Sequence, residues 1–163
     1  MDSAPTENEW TVMWMREISF RGKRIDNGEW VEGAFLNDRD DAFYICPVVS
    51  DISYGEGGNR RRIGCWYKVD PSTVGQFTGL TDKNGKRIFE GDIIAVPFEE
   101  DRSPWEENCI YYENGKVYFD EMRFGWYVKF NDDELTLWEY DDCGVEIIGN
   151  IYDNPELLEA PNA

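Results

Sequence analysis

Apolar residues recur along this chain with the period of two expected of strands buried on one face, and no stretch of ten holds a helical 3.6-residue repeat. Ile18 and Phe20 alternate with Ser19 and Arg21. Asp26-Asn27-Gly28 then supplies the positive φ angles of a tight hairpin, so residues 29–36 are expected to return as the partner strand. A charged turn over 37–41, a strand over 42–49 and a glycine-rich loop over 50–59 follow. A further strand from residue 60 is stopped at Asp70-Pro71, because proline cannot donate to a ladder. Over 74–80, alternation puts Val74, Gln76 and Thr78 on one side and Phe77 on the other. Phe77 is the core candidate, and Gly75 and Gly79 flank it where another group must come close.

A turn at 82–86 leads to short strands over 87–89 and 93–98. Segments 109–112 and 116–119 read as a hairpin about Asn114-Gly115, 124–130 and 135–140 as a pair about Asn131-Asp132-Asp133, and 145–151 as a last strand. Only 153–159 reads as a helix, about two turns long, with Asp153 or Asn154 as N-cap and Pro155 in its first turn. Turn signals every 8 to 12 residues or so specify an all-β (mainly β) fold. The expected architecture is a hairpin and sheet over 15–80 packed on a partly open barrel over 81–159 with the short terminal helix. Residues 1–14 form a flexible extension and 160–163 a tail.

A chain of 163 residues is long enough for a real core, and its 7 Trp, 9 Tyr and 9 Phe are incompatible with a disordered one. It has no histidine, which excludes Ser-His-Asp and Cys-His nucleophiles and histidine metal sites. A net charge of -18 opposes binding to a phosphate backbone, so no direct nucleic-acid contact is expected. Acid is concentrated late in the chain: residues 97–163 carry 4 Lys plus Arg and 18 Asp plus Glu, net -14. Such a field favours a basic surface on another protein. Cys46, Cys65, Cys109 and Cys143 have no metal-knuckle spacing and read as reduced core thiols. With no signal peptide or apolar span, a cytoplasmic location and no membrane contact are expected.

Candidate chemistry is thin. Adjacent acids such as Asp132-Asp133-Glu134 lack calcium-loop spacing, and Gly55-x-Gly57-Gly58 lacks the Lys-Ser/Thr of a phosphate loop. No catalytic residue, metal site or cofactor is expected. Interaction candidates are Gln76, Thr78, Asp92, Asn150 and Tyr152, polar groups set in apolar strands, together with the acidic loop of Glu99, Glu100, Asp101, Trp105, Glu106 and Glu107. The aromatics exceed what one small core needs, so Trp10, Trp14, Trp66, Trp105, Trp126 and Trp138 are candidates for a binding patch or a homo-oligomer interface.

Three blocks carry a resemblance. The longest spans 69–93, with Asp70-Pro71, Gly75-Gln76-Phe77-Thr78-Gly79-Leu80, Asn84-Gly85 and Glu90-Gly91-Asp92; the others are 15–23 and 147–158, the latter with Gly149-Asn150 and Asn154-Pro155. In this order they resemble the YopX family of bacteriophage and prophage proteins. The resemblance implies a mostly β fold whose C-terminal half is similar to an SH3-like barrel, and no assigned activity or catalytic residue. The expected function is that of a non-enzymatic phage accessory protein that binds a host or phage protein, in its narrowest form as an acidic, nucleic-acid-mimicking inhibitor. The alternatives are a β-barrel binding a small molecule or nucleotide through Gln76, Thr78 and nearby cations, a carboxylate-dependent enzyme, and a self-assembling structural subunit.

Overall fold

A computed structural model describes residues 17–38, 42–47, 66–100, 109–131, 133–140 and 144–159. The first half forms strands β1 (Phe20–Lys23), β2 (Trp30–Asn37), β3 (Phe43–Cys46), β4 (Tyr67–Lys68), β5 (Gly75–Thr81) and β6 (Arg87–Phe89). They make one antiparallel sheet in the order β4-β3-β2-β1-β5-β6. The second half forms β7 (Asp92–Glu100), β8 (Cys109–Asp120), β9 (Gly125–Lys129), β10 (Glu134–Thr136) and β11 (Glu146–Asn150). These make a second antiparallel sheet, β10-β9-β8-β7-β11, and among the described residues no ladder joins β10 to β11. The fold is mostly β, as the alternation implied. The sheet boundary falls at Glu90-Gly91, because β6 pairs with β5.

The buried apolar residues form two clusters, the larger of which draws on both sheets. Val31, Ile45 and Val69 are buried in the first, with Phe20, Phe35, Phe43 and Tyr67 packed around them. The larger cluster holds Ile88, Ile94, Val96, Val117, Val128, Phe130, Leu137 and Val145, with Leu80 and Trp126 against it. Phe77 is buried, as its setting between Gly75 and Gly79 suggested. A Cβ on Gly75 would lie 2.5 Å from the Glu90 carbonyl oxygen, whereas Gly79 has open space and is needed for its φ of +93°.

Several local expectations change. Asn114-Gly115 is no hairpin turn: β8 runs straight through it, Asn114 opposite Ala95 and Gly115 opposite Ile94. The glycine serves packing there, since a Cβ would fall 2.3 Å from Val128 Cγ1. Residues 137–140 form a 3-10 turn rather than continuing the strand, which folds Leu137 into the core. The terminal helix is a single 3-10 segment, Pro155–Leu158, and Asn154 makes no side-chain capping bond. Pro97 sits inside β7, but the β11 ladder ends at Ala95, so its missing N–H interrupts no pairing on that side. Among the described residues no helix is long and apolar enough to cross a membrane.

Gly115→Ala is expected to lower stability by about 1–3 kcal/mol through overpacking against Val128 and Phe130, read as a fall in the urea midpoint with unchanged slope. An unchanged midpoint would show that β8 and β9 do not meet as closely as described.

Candidate functional site

Where the chain crosses between sheets, Phe89–Asp92, two polar residues are driven into the interior. Asp92 is 1% exposed and pairs with Arg21 of β1 at 2.6 Å; its second oxygen accepts the Phe89 N–H at 2.8 Å. Arg21 also donates to the Glu90 carbonyl at 3.3 Å and lies over the rings of Trp30 and Phe89. Burial pushes the Asp92 carboxyl above its ordinary value, while Arg21 and the Phe89 N–H act in the opposite sense. The sequence offers Asp92 as an interaction residue; the structure makes it an internal fastener with no free surface.

Asn150, the ladder partner of Asp92, and Tyr152 join the same seam. The Asn150 Oδ1 accepts the N–H groups of Tyr152 and Asp153, and the Tyr152 ring packs on Trp30 with centroids 5.8 Å apart. Asp153 completes the joint, accepting from Lys23, from Trp30 Nε1 at 2.9 Å and from Asn150 Nδ2 at 3.0 Å. The Lys23 ammonium first, then Asn150 and Trp30, hold the Asp153 carboxyl down at about 2.

Gln76 and Thr78 lie elsewhere, on the face of β5 that borders the second sheet. A groove runs there. One part, about 360 Å³, is lined by Thr78, Gly79, Leu80, Phe119, Phe124, Gly125, Trp126 and Trp138. The adjoining part, about 320 Å³, shares Phe119 and Trp126 and adds Gln76, Glu90 and Glu121. The Thr78 hydroxyl is occupied, donating to the Ile88 carbonyl at 2.9 Å and accepting the Leu80 N–H at 3.2 Å, so its role is to hold the groove wall. Trp126 Nε1 is shielded and meets no acceptor among the described residues.

The groove's outer rim is exposed apolar surface: Phe124 is 82% and Trp138 65% exposed. Phe124 is the one non-glycine residue at positive φ, +52°, among the described residues. A bulky side chain is strained there, and such strain persists only where the surroundings enforce it. Here they do. Asp120 accepts the N–H groups of Met122 and Arg123, each at 2.9 Å, and Arg123 in turn reaches Glu134 at 2.6 Å and stacks over Tyr127 at 3.9 Å. The turn is clamped, and the clamp projects the ring outward.

Sequence reasoning placed Gln76, Thr78, Trp126 and Trp138 among its candidates and missed Phe119, Phe124, Glu90 and Glu121. The turn 121–124 contains no glycine or Asn-Gly pair to announce it. Glu99 is exposed on β7, away from the groove lining. Asp101, Trp105, Glu106 and Glu107, and the side chain of Glu100, lie outside the described residues, as do Trp10, Trp14 and the three consecutive arginines Arg60, Arg61 and Arg62. No Lys or Arg lines the groove among the described residues. The described cations near the first hairpin and the turn at 82–86 are largely committed within the protein: Arg24 to Asp26, Lys83 to Glu146, Arg87 to Glu17 and Glu32. A nucleotide phosphate would find carboxylates rather than cations there. Cys46 is buried and free. Among the described residues no three His, Cys, Asp or Glu side chains are grouped to hold a metal ion.

Two antiparallel sheets fastened by a buried ion pair, with an aromatic groove along their seam, define an all-β protein. Within that class the family is specific: the model for the YopX protein family matches residues 19–159, and the chain belongs to that family. The crystal structure of protein EF1440 from Enterococcus faecalis is similar, with a TM-score of 0.57 and 25% identity over 88% of this chain and 99% of that one. No curated protein matches.

Asp92→Ala is expected to cost about 3–5 kcal/mol in urea unfolding, because it strands the Arg21 charge, while Arg21→Met with Asp92→Leu regains most of that loss. A double variant as unstable as the single one would refute the pairing. Asp153 is depressed when folded, so its contribution to stability is complete above pH 3.8 and is lost as the pH falls to about 2. Asp153→Asn should therefore flatten the acid limb of a stability–pH curve over that window and leave its shape near pH 7 unchanged.

Proposed function

We propose that this protein acts without chemistry of its own, as a phage or prophage accessory protein that binds another protein through the seam groove. The observation that carries the reading is the rim: a strained, clamped turn that keeps Phe124 in solvent next to Trp138. Burial of exposed aromatic rings is what anchors protein interfaces, and an exposed ring held at a backbone cost contributes nothing to folding that would explain it. The acidic second half supports a basic partner, since a single-sign field speeds encounter with the opposite sign. In its narrower form the acids imitate a nucleic acid and occupy the basic face of a host factor, on an SH3-like scaffold, in the cytoplasm. Small-molecule binding is the weaker reading, because the groove lies open along the surface and its charged groups are two carboxylates.

Phe124→Gly and Trp138→Ala test it. Both are expected to change folding stability by less than about 1 kcal/mol, since both rings are exposed and Gly tolerates positive φ. A partner purified on the wild-type protein should bind each variant at least about tenfold more weakly in calorimetry, as loss of an aromatic anchor implies. Equal binding by both variants would remove the groove from the interface, and turnover of any substrate by the pure protein would end the non-enzymatic reading.

A further inference from the structure

Four arginines of this protein sit in the same kind of cage, an aromatic face beneath the guanidinium and a carboxylate beside it. Arg21 lies over Trp30 and Phe89 with Asp92, and Arg24 over Tyr67 at 4.0 Å with Asp26. Arg87 lies over Phe77 at 4.2 Å with Glu17, and Arg123 over Tyr127 with Asp120 and Glu134. The recurrence has a physical basis. A planar, weakly hydrated guanidinium is attracted by a ring quadrupole and takes a carboxylate in its plane.

The 320 Å³ end of the groove contains the same parts without the cation. Trp126 and Phe119 meet edge to face at 5.0 Å, and Glu90 and Glu121 line the same space with Gln76. Neither carboxylate has an ion-pair partner among the described residues, whereas the acids of the four cages do. The geometry points to a subsite for an arginine side chain of the partner protein, with the partner's neighbouring apolar side chain lying between Phe124 and Trp138. This rests on the protein-binding reading and specifies what the groove recognises. Charge complementarity selects the occupant: two carboxylates in an aromatic wall, on a chain of net charge -18, disfavour an acidic or purely apolar ligand. The Trp126 N–H is shielded within the groove wall, so its resonance reports occupation of the subsite without contacting the ligand.

The test uses the full chain, ¹⁵N-labelled on tryptophan, titrated with acetyl-Leu-Arg-amide and with the isosteric neutral acetyl-Leu-citrulline-amide. Trp126→Phe and Trp138→Phe assign the two indole N–H resonances. The arginine peptide is expected to shift the Trp126 resonance saturably, with about tenfold weaker binding of the citrulline peptide. Glu90→Gln with Glu121→Gln should abolish that difference, while the unchanged spectrum of the remaining indoles shows an intact fold. Equal shifts by the two peptides, or a preference that survives the double substitution, overturns the subsite. If Trp138 still responds to both peptides in that case, the groove binds apolar segments and only the arginine inference fails; if neither indole responds, the groove reading fails with it. Binding of arginine that emerges only after Arg102→Ala would make the occupant the chain's own arginine and overturn the partner assignment.

Discussion

The Arg21–Asp92 pair sets the relation between the two sheets, and most of the remaining structure is arranged around it. The chain leaves the first sheet at Phe89 and enters the second at Asp92, with Glu90-Gly91 as the only residues between the strands. So short a crossing leaves the two sheets little freedom, yet apolar packing alone is non-directional and would tolerate several arrangements. A buried charge pair is different. It is satisfied in one geometry and costly in the rest, so its worth lies in selecting an arrangement more than in net stability. Asp92 also accepts the Phe89 N–H, which fixes the carboxylate to the turn it must span. Gly91, at φ +82°, donates to Val117 and accepts from Ile151, drawing β8 and the terminal turn to the same point.

The groove inherits its shape from that joint. Gln76, Thr78 and Leu80 belong to the first sheet, whereas Phe119, Trp126 and Trp138 belong to the second half of the chain. A site assembled across a seam is only as well defined as the seam. The Asn150, Tyr152 and Asp153 cluster extends the same joint through Trp30 and Lys23, since Asn150 pairs with Asp92 and Trp30 also stacks on Arg21. The polar residues that a sequence reading singles out therefore divide by role: Asp92, Asn150 and Tyr152 hold the sheets in register, while Gln76 and Thr78 face the groove.

The fold class was legible because period-two alternation and turn chemistry are local, and both held for the first hairpin and for the turn at 82–86, where Asp82 accepts from Asn84 and Lys86. Asn114-Gly115 misled for a non-local reason. The same dipeptide that suits a turn also suits a strand position where another strand comes too close for a Cβ, and only the placement of Val128 and Phe130 decides between them. Leu137 likewise turns inward because the core needs it, overriding a strand-like pattern. Most of the groove was illegible, since Phe119 and Phe124 look like ordinary strand aromatics until the Asp120–Arg123–Glu134 clamp sets the backbone. The clamp joins residues of β8, the turn and β10, and no spacing rule links them.

The charge distribution follows from the same division of labour. A net charge of -18 on a chain this size is self-repulsive, and the structure blunts that repulsion where it matters by seating its described arginines against aromatic faces and carboxylates. Those contacts leave the net charge at -18, and Lys68, Lys86 and Lys129 remain exposed beside the acids. A net charge of that sign opposes contact with nucleic acid and with like-charged neighbours, and the exposed rings of Phe124 and Trp138 form an apolar rim on an acidic chain. In the proposed binding role, an apolar rim on an acidic chain suits a partner that presents a basic residue beside an apolar one, because either feature alone meets only half of the surface. The sheets supply rigidity, the arginine cages seat cations within an acidic chain, and in the proposed binding role the acidity adds discrimination to the aromatic groove.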